Sequence, residues 1–364
     1  MIKIEKNELQ RIASASSAVA KKGAAQPAAE MAFLSIVDGS LIVKATDMEN
    51  WLSVSLDVSG EIADVCVSAA KLSELANGIS GELLKIDVVE GDLVIQGKGR
   101  RKLAGVTVPF PEPAVPDEKP VVFDTEALLG ALADAAPTMS DDVLTRPHMA
   151  GVHIHSHDGR YYAAATNGSA FVAIGFADSL QDIAVTIPAA AIRHLKAAAG
   201  SETITCRFGE RGNLFEWEGG SLLTKVVEGA FPPYRRIIPA HSDSFTVQAD
   251  ELVRAIKAVA VVAQDDKSSG AKRVELLLSR NGIVVSAASH QGTAEEPVEG
   301  EWSGADDLTL HFSSKRMIEA IGSYGDAVIE VGASSYAATI HETKPLLIKP
   351  VGSDDKFSIL ALMM

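Results

Sequence analysis

The segment HMAGVHIHSHDG, at residues 148–159, contains four histidines: His148, His153, His155 and His157. Alternate side chains of a β-strand point to one face, so the last three histidines would share a face. Together with Asp158 they could ligate zinc and support a metal-dependent hydrolase. The other interpretation is a solvated strand face. We favour it because Asp158-Gly159 is typical of a hairpin turn, and the corresponding strands elsewhere in the chain lack histidines.

A second segment with possible chemistry, GKGRRK at residues 97–102, combines glycines with basic residues. It lacks the GxxxxGK[ST] order of a phosphate-binding loop. The matching place one repeat later is the hairpin EGGSLLTK, so we expect a basic hairpin here as well. The sequence also has no GxSxG, HExxH or Cys-x-x-Cys motif. We therefore expect neither catalytic residues nor a cofactor.

The composition, with 47% hydrophobic and 22% charged residues among 364, is typical of a soluble globular protein of two or three domains. No apolar run reaches the roughly 18 residues that span a membrane. The N-terminal residues MIKIEKNELQ lack the apolar core of a signal peptide. Cys66 and Cys206 stand apart, without metal or redox spacing, which predicts small buried residues in a reduced protein. We expect a cytoplasmic protein without membrane contact.

The chain carries a formal net charge of −15. Such an acidic protein is not expected to present a broad exposed surface to nucleic acid, because the two polyanions repel each other. The charge remains compatible with a basic surface that is spatially confined.

The sequence repeats with a period of about 120 residues, which predicts tandem units of one fold. The segments IEKNELQRI from Ile4, FDTEALLGAL from Phe123 and VQADELVRAI from Val247 each combine a short strand with an amphipathic helix. A second helix is expected in VSAAKLSELANGISGE, IPAAAIRHLKAAAGSE and FSSKRMIEAIGSYGDA, each of which ends near a glycine. Alternating strands with Gly, Asp and Asn turns lie between the helices.

This pattern predicts an α+β fold of three tandem domains, each a sheet with two helices, at residues 1–120, 121–243 and 244–364. Phe110-Pro111 and Phe231-Pro232 lie near the two junctions, where proline stiffens the connecting chain. Similar shapes joined head to tail tend to close into rings.

Residues 227–239, VEGAFPPYRRIIP, resemble the interdomain segment of bacterial sliding clamps, the beta subunit of DNA polymerase III. The segment ATNGSAF, residues 165–171, resembles the Ala-Thr-Asp-Gly segment of that family, and the C-terminal FSILALMM resembles its apolar tail. The element Phe-Pro-x-Tyr-Arg-Arg is the most specific of the three. The resemblance covers essentially the whole chain, because the repeated helix pair follows the family's pattern.

The resemblance implies the DNA clamp fold and a head-to-tail homodimer, a ring whose twelve helices surround duplex DNA. Such a ring is a processivity factor without catalysis of its own. It binds double-stranded DNA topologically, without sequence preference, and tethers a DNA polymerase and repair polymerases or ligase. It depends on a clamp loader and works on the nucleoid in the cytoplasm.

Basic residues on or beside the repeated helices are the candidates for DNA contact. They are Arg11, Lys21, Lys22, Lys71, Arg146, Arg193, Lys196, Arg254, Lys257, Lys315 and Arg316. At any single position the alternative is an ordinary solvated helix face. Recurrence in all three repeats favours the set as a whole.

The resemblance also implies an apolar pocket for short peptides of client proteins. Its walls would be Met149, Thr166, Gly168, Ser169, Ala170, Phe171, Pro232, Arg236, Ile237, Ile359, Leu360 and Leu362. Apolar burial would supply the affinity, and Arg236 could bind peptide carbonyls or a carboxylate. Without the resemblance, several of these residues would be read as plain core.

The chain departs from the family at this pocket. Ser169-Ala170 stands where the family commonly has His-Arg, Asn167 replaces an aspartate, and Ala361 lies where a proline is common. The pocket therefore loses polar groups and one cation, and we expect a client peptide different from the family's usual one.

Two further hypotheses stay open at this point. One is the metal-dependent hydrolase that uses His153, His155 and His157. The other is an adaptor of repeated α+β domains that does not touch DNA.

Overall fold

The computed structural model describes residues 1–198, 200–264, 272–333 and 344–363. Its α-helices are α1 Lys6–Val19, α2 Ala69–Gly78, α3 Thr125–Ala135, α4 Ala189–His194, α5 Ala249–Val259 and α6 Ser314–Ile321. Short 3₁₀ helices lie at Pro27–Glu30, Ala136–Thr138, Pro147–Met149, Leu195–Ala198, Tyr234–Ile237 and Gly322–Tyr324. None of the helices in this part of the chain is long and apolar enough to cross a membrane.

The strands of the first 120 residues are β1 Ile2–Glu5, β2 Met31–Val37, β3 Ser40–Thr46, β4 Asn50–Asp57, β5 Val65–Ser68, β6 Leu83–Val89, β7 Asp92–Gln96 and β8 Arg100–Leu103. The next are β9 Val121–Asp124, β10 Gly151–His157, β11 Arg160–Thr166, β12 Ala170–Asp178, β13 Ala184–Pro188, β14 Thr203–Gly209, β15 Gly212–Trp217 and β16 Gly220–Thr224. The last are β17 Asp243–Gln248, β18 Arg273–Ser279, β19 Gly282–Ser289, β20 Gly292–Val298, β21 Gly300–Trp302, β22 Leu308–Ser313, β23 Val328–Ala333, β24 Leu346–Pro350 and β25 Lys356–Leu360.

Every one of these six α-helices begins at the residue that directly follows a strand. The start is fixed in three cases by a side chain that accepts a hydrogen bond from the first turn, as capping residues do. Asp124 accepts from the backbone N–H of Ala127 at 2.8 Å, Ser68 accepts from Lys71, and Ser313 accepts from Arg316. The predicted repeat of strand followed by helix is thus confirmed.

The chain forms two compact units, and the first contains residues 1–129 and 187–227. It holds a four-stranded sheet of order β1-β6-β7-β8 and an eight-stranded sheet of order β5-β2-β3-β4-β16-β15-β14-β9. In the larger sheet β4 pairs with β16, so that Leu52 lies opposite Leu222. On the apolar faces of α1 and α2, the side chains of Leu9, Ile12 and Leu72 are fully buried.

The predicted basic hairpin is present in this first unit. Strands β7 and β8 pair antiparallel around residues 97–99, with Gln96 opposite Arg100. The outer strand β8 lies at the end of its sheet and carries exposed Arg100, Arg101 and Lys102.

The second unit contains residues 130–186 and 228–364. Its nine-stranded sheet has the order β13-β10-β11-β12-β25-β24-β23-β17-β21, and its four-stranded sheet has the order β20-β19-β18-β22. Helices α5 and α6 bury Leu252, Ile256 and Met317 in one core with residues of both sheets. Strand β25 pairs with β12, which brings the C-terminal segment next to residues 170–174.

Each large sheet therefore takes strands from two of the three predicted domain ranges. The reason is backbone pairing, because β4 with β16 and β12 with β25 continue one sheet into the next repeat. The two compact units each contain one of these large sheets. The division at 1–120, 121–243 and 244–364 stays a prediction.

Both cysteines are free and buried, as expected. Loss of hydration disfavours a thiolate, so burial raises the pKa of Cys66 to about 11 and also raises the pKa of Cys206.

Candidate peptide pocket and basic helix residues

The segment 231–238 begins with Phe-Pro-Pro and turns into the short 3₁₀ helix Tyr234–Ile237. The N–H of Tyr234 donates to the carbonyl of Pro232 at 2.8 Å, which tightens the turn. This geometry directs the Tyr234 ring inward, where only 6% of the residue is exposed. Arg236 and Ile237 point outward, and Ile237 is 58% exposed.

The ring of Tyr234 packs against an apolar surface formed by β12 and β25. Its ring stacks on Phe171 with centroids 4.3 Å apart and approaches Phe357 at 6.0 Å. Phe171 lies directly opposite Ile359 across the strand pair, and these residues form one buried cluster. Two of the predicted pocket residues, Phe171 and Ile359, are therefore brought together with Pro232 and its neighbours.

A tight turn between β11 and β12 lies at the edge of this surface. The hydroxyl of Thr166 donates to the carbonyl of Ala170 at 2.8 Å, and Gly168 has a φ of +90° that favours glycine. A Cβ at Gly168 would lie 3.2 Å from Nη1 of Arg146 and 3.7 Å from Cε of Met149. The structure thus places Met149 beside the exposed Gly168.

Other predicted pocket residues point to the opposite face of the same strands. Leu360 is fully buried and lies opposite Ala170, and both belong to the core beneath α5 and α6. Leu362 packs against that core as well. Alternation along β25 explains this, because Phe357 and Ile359 face Tyr234 while Ser358 and Leu360 face away. Whether client peptides bind here stays a prediction.

Asn167 links the turn to helix α6. Its side-chain Nδ2 donates to Oε2 of Glu319 at 3.2 Å, and its Oδ1 accepts from the backbone of Ser169 and Ala170. Glu319, only 14% exposed, is also paired with Arg316 at 2.9 Å. An aspartate at 167 could not donate this bond and would place a second negative charge beside Glu319.

The predicted DNA-facing residues differ in how strongly acidic neighbours neutralise them. Ion pairs to carboxylates of the same helix hold Arg11, Arg254, Lys315 and Arg316. Within the described residues no ion pair is found for the others, and all of these are exposed: Lys21, Lys22, Lys71, Arg146, Arg193, Lys196 and Lys257. The second group carries the stronger local positive charge.

The histidines of β10 are not a solvated face, and that interpretation was wrong for two of them. Segment 231–236 covers the strand, so His153 stacks on Phe231 at 4.6 Å and on His155 at 5.2 Å. Nδ1 of His153 lies 3.1 Å from the Thr186 hydroxyl, and Nε2 of His155 lies 2.8 Å from the Tyr234 hydroxyl. No group of three side chains suited to a metal ion occurs in the described part of the chain.

Burial lowers the pKa of His153 to about 3, with a smaller contribution from His155. Burial, followed by the charge of Arg235, lowers the pKa of His155 to about 4. Both rings are therefore neutral near pH 7 and act as aromatic surfaces.

Comparison with known proteins points to one family. The profile described as DNA polymerase III beta subunit, C-terminal domain, matches residues 235–364. The beta sliding clamp of Rickettsia bellii is 24% identical over 381 aligned positions, which cover 98% of this chain and 97% of that protein. The beta sliding clamp of Synechococcus elongatus is 25% identical over 268 positions, covering 70% of this chain and 69% of the relative.

Solved structures match the entire chain. The DNA polymerase sliding clamp of Bacillus subtilis superimposes with a TM-score of 0.89 at 16% identity, covering 100% of this chain and 98% of that one. The beta subunit of Thermotoga maritima DNA polymerase III gives a TM-score of 0.86 at 20% identity, covering 100% and 99%. At these identities the structures show the fold, which is the expected clamp fold.

In sequence and in fold the chain is similar to the beta sliding clamps, from which it has diverged. The hydrolase and adaptor hypotheses are not favoured by any of these comparisons. Two of the departures from the family's pattern, Asn167 and Ala170, have local explanations. In this clamp homologue Asn167 fits the neighbouring Glu319, and Ala170 fits a buried position 2% exposed opposite Leu360.

Sequence reasoning missed three residues that build the site: Tyr162, Tyr234 and Phe357. The alternation in FSIL could have separated the two faces of β25. No sequence signal could have placed Tyr234 between Phe171 and His155, because the three residues come from distant segments.

The first prediction concerns Asn167→Asp, which restores the family's residue. Loss of the donor and repulsion from Glu319 should lower the free energy of unfolding by about 1–3 kcal/mol. Thermal or urea unfolding measures this change. The double variant Asn167→Asp with Glu319→Gln should recover part of the loss, since the amide can again donate. Asn281→Asp, in the exposed β18–β19 turn, is the matched control. Equal effects at both asparagines would contradict the role of Glu319.

The second prediction concerns pH. The folded-state pKa values of His153 and His155 lie below the unfolded value, so their contribution to stability is complete above about pH 6.5. It is lost as the pH falls from about 6.5 toward 4, because the unfolded chain then binds protons that the native state excludes. At pH 4.5 the loss is on the order of 2 kcal/mol per ring, measured by urea unfolding against pH.

A His153→Phe variant should show a shallower decline of stability between pH 6.5 and 4.5 than the parent. His290→Phe, at an exposed position in the β19–β20 turn, should leave the decline unchanged. If His153→Phe has the same pH dependence as the parent, the buried histidine is not the cause.

Proposed function

We propose that the protein is a DNA sliding clamp, a ring that encircles duplex DNA and keeps a DNA polymerase on its template. The observation that carries this proposal is the match along the whole chain, because a beta sliding clamp aligns over 98% of it. A repeated strand-and-helix unit over the same length supports it, since a ring of similar domains needs this repetition. Proteins of this family are non-catalytic processivity factors, and we assign no reaction to the chain.

The distribution of charge suits a protein that holds DNA by topology. A chain of net charge −15 is a poor candidate for a tight phosphate grip. Weak and mobile contacts suffice when a closed ring prevents escape. Exposed cations without an ion pair among the described residues, such as Lys71, Arg193 and Lys257, would supply such contacts, which salt weakens.

Two sheet ends of opposite charge support a head-to-tail dimer. Strand β8 ends one four-stranded sheet with exposed Arg100, Arg101 and Lys102. Strand β20 ends the other four-stranded sheet with exposed Glu295 and Glu296. Pairing of β8 from one copy with β20 from a second copy would satisfy both edges and bring opposite charges together. Two such contacts, one at each end of the chain, would close two copies into a ring.

The apolar surface around Phe171 and Ile359 is the proposed docking site for client proteins, with half-buried Pro232 and exposed Arg236 and Ile237 at its border. Clients would include the polymerase, a clamp loader, and repair polymerases or ligase. We place the protein in the cytoplasm, at the nucleoid.

The third prediction tests topological binding. The protein is loaded by a clamp loader onto nicked circular DNA, separated from free protein, and the circle is then cut by a restriction enzyme. We expect retention on the closed circle and release from the linear form, because a ring slides off free ends.

Raising the salt concentration after loading should leave retention on the circle largely intact, since topology rather than charge holds the ring. Equal retention on circular and linear DNA would contradict the proposed ring.

The fourth prediction tests the dimer contact. Sedimentation should give the parent protein twice the mass of one chain. The double variant Arg100→Glu with Arg101→Glu should sediment as a monomer at micromolar concentration, because β8 would then face Glu295 and Glu296 with like charge. Adding Glu295→Lys and Glu296→Lys to the same chain should restore the dimer.

Lys3→Glu with Lys85→Glu is the matched control. These lysines lie opposite each other on β1 and β6, at the other end of the same sheet. A monomer in this control, or a dimer in the β8 variant, would place the contact elsewhere.

A further inference from the structure

A groove of about 380 Å³ lies beside segment 231–236, over the histidines of β10. Phe231, Pro232 and Pro233 form one wall, and His153, His155 and Ala184 contribute to the other. The volume lies in the range of ligand-binding clefts and fits two or three residues of an extended peptide. Most of its lining is apolar or aromatic.

The rings along the groove form a ladder. Phe231 and His153 are nearly parallel, with an interplanar angle of 2°, and the ladder continues through His155 to Tyr162 at 5.8 Å. Both imidazoles are neutral near pH 7 for the reasons given above. Another aromatic ring entering from the groove would extend this ladder by offset stacking, the geometry that aromatic pairs prefer.

Arg235 brings a positive charge to the same groove. Its guanidinium carbon lies 5.3 Å from the ring centroids of both Tyr162 and Tyr234. Its Nη2 is shielded from solvent and has no hydrogen-bond partner among the described residues, and no carboxylate in that part of the chain forms an ion pair with it. A half-buried guanidinium with its Nη2 unbonded favours an anionic ligand, because a carboxylate would both accept this hydrogen bond and neutralise the charge.

No acidic side chain lines the groove itself. Two carboxylates contact residues of the lining: Asp158 pairs with His157, and Asp182 accepts from the hydroxyl of Ser156. The groove thus combines an aromatic ladder with a positive inner end. In a protein of net charge −15, the groove is therefore a local reversal of charge.

The groove adjoins the pocket around Phe171 and shares Pro232 and Arg236 with its border. Tyr234 divides the two, because its ring face stacks on Phe171 while its hydroxyl is bonded to His155. The adjoining pocket is itself a proposed peptide site, and the same segment borders both. We propose that the groove binds an extended acidic peptide of a partner protein, with an aromatic side chain against Phe231 and His153 and a neighbouring carboxylate on Arg235.

The test uses the full-length protein and a fluorescein-labelled peptide of sequence Gly-Gly-Asp-Phe-Glu-Gly, followed by fluorescence anisotropy. We expect saturable binding that Arg235→Met weakens at least tenfold, since methionine keeps the stem and removes the charge. Arg280→Met removes the same charge from an exposed turn of the same unit and should leave the affinity unchanged. A peptide with lysine in place of both acids should not bind.

A second variant distinguishes a blocked groove from a protein that has lost its fold. Ala184 is exposed on the groove wall, so Ala184→Trp should block the groove without disturbing the ring ladder. It should abolish binding while the thermal unfolding midpoint stays that of the parent. Unaltered affinity in both Arg235→Met and Ala184→Trp would overturn the proposal, as would the absence of saturable binding in the parent.

Displacement of the peptide by a single-stranded oligonucleotide would also overturn it, because the ligand would then be a nucleic acid. The proposal does not need the ring. If the protein failed to stay on circular DNA and still bound the peptide through Arg235, the proposed clamp function would be wrong, and the proposed peptide groove would still be supported. If Arg235→Met stays on circular DNA but no longer binds the peptide, the clamp function does not depend on peptide binding in the groove.

Discussion

Backbone pairing between strands of neighbouring repeats is the interaction on which the rest of this molecule depends. Strand β4 pairs with β16, and β12 pairs with β25, so each large sheet runs through the end of one repeat into the next. A pair of edge strands otherwise leaves exposed donors and acceptors that invite aggregation. The two pairings within the chain cover four such edges, while the smaller sheets end at β1 and β8 and at β20 and β22.

The same pairing creates the candidate client site. Because β25 lies against β12, Ile359 comes opposite Phe171, and the two provide a surface on which Tyr234 can stack. The connecting segment is then held on both sides, through Phe171 on one and through His155 on the other. A preformed segment of this kind lowers the ordering cost when a peptide binds, which is why stiff connectors suit docking sites.

The chain combines a high negative charge with a few local positive regions, which differ in their structural surroundings. Helix cations such as Arg254 are partly neutralised within the helix, whereas Lys257 has no ion pair in the described residues. The arginines of β8 lie on an open strand edge, and Arg235 lies between two tyrosine rings. In the proposals made above, positive charge is assigned to contact with DNA, with a second copy or with a peptide, according to the surface that surrounds it.

The sequence by itself determined the repeated strand-and-helix order, the α+β class and the hairpin at residues 97–102. These depend on local signals such as helix periodicity, capping by Ser68 or Ser313, and glycine turns, all of which act over a few residues. The family was also readable from VEGAFPPYRRIIP. Tertiary structure alone decided which face of β25 Leu360 occupies, how Glu319 accommodates Asn167, and why His153 and His155 are covered and neutral. Those features arise from contacts between segments far apart in the chain, and no local pattern specifies which distant residue will fill a given space.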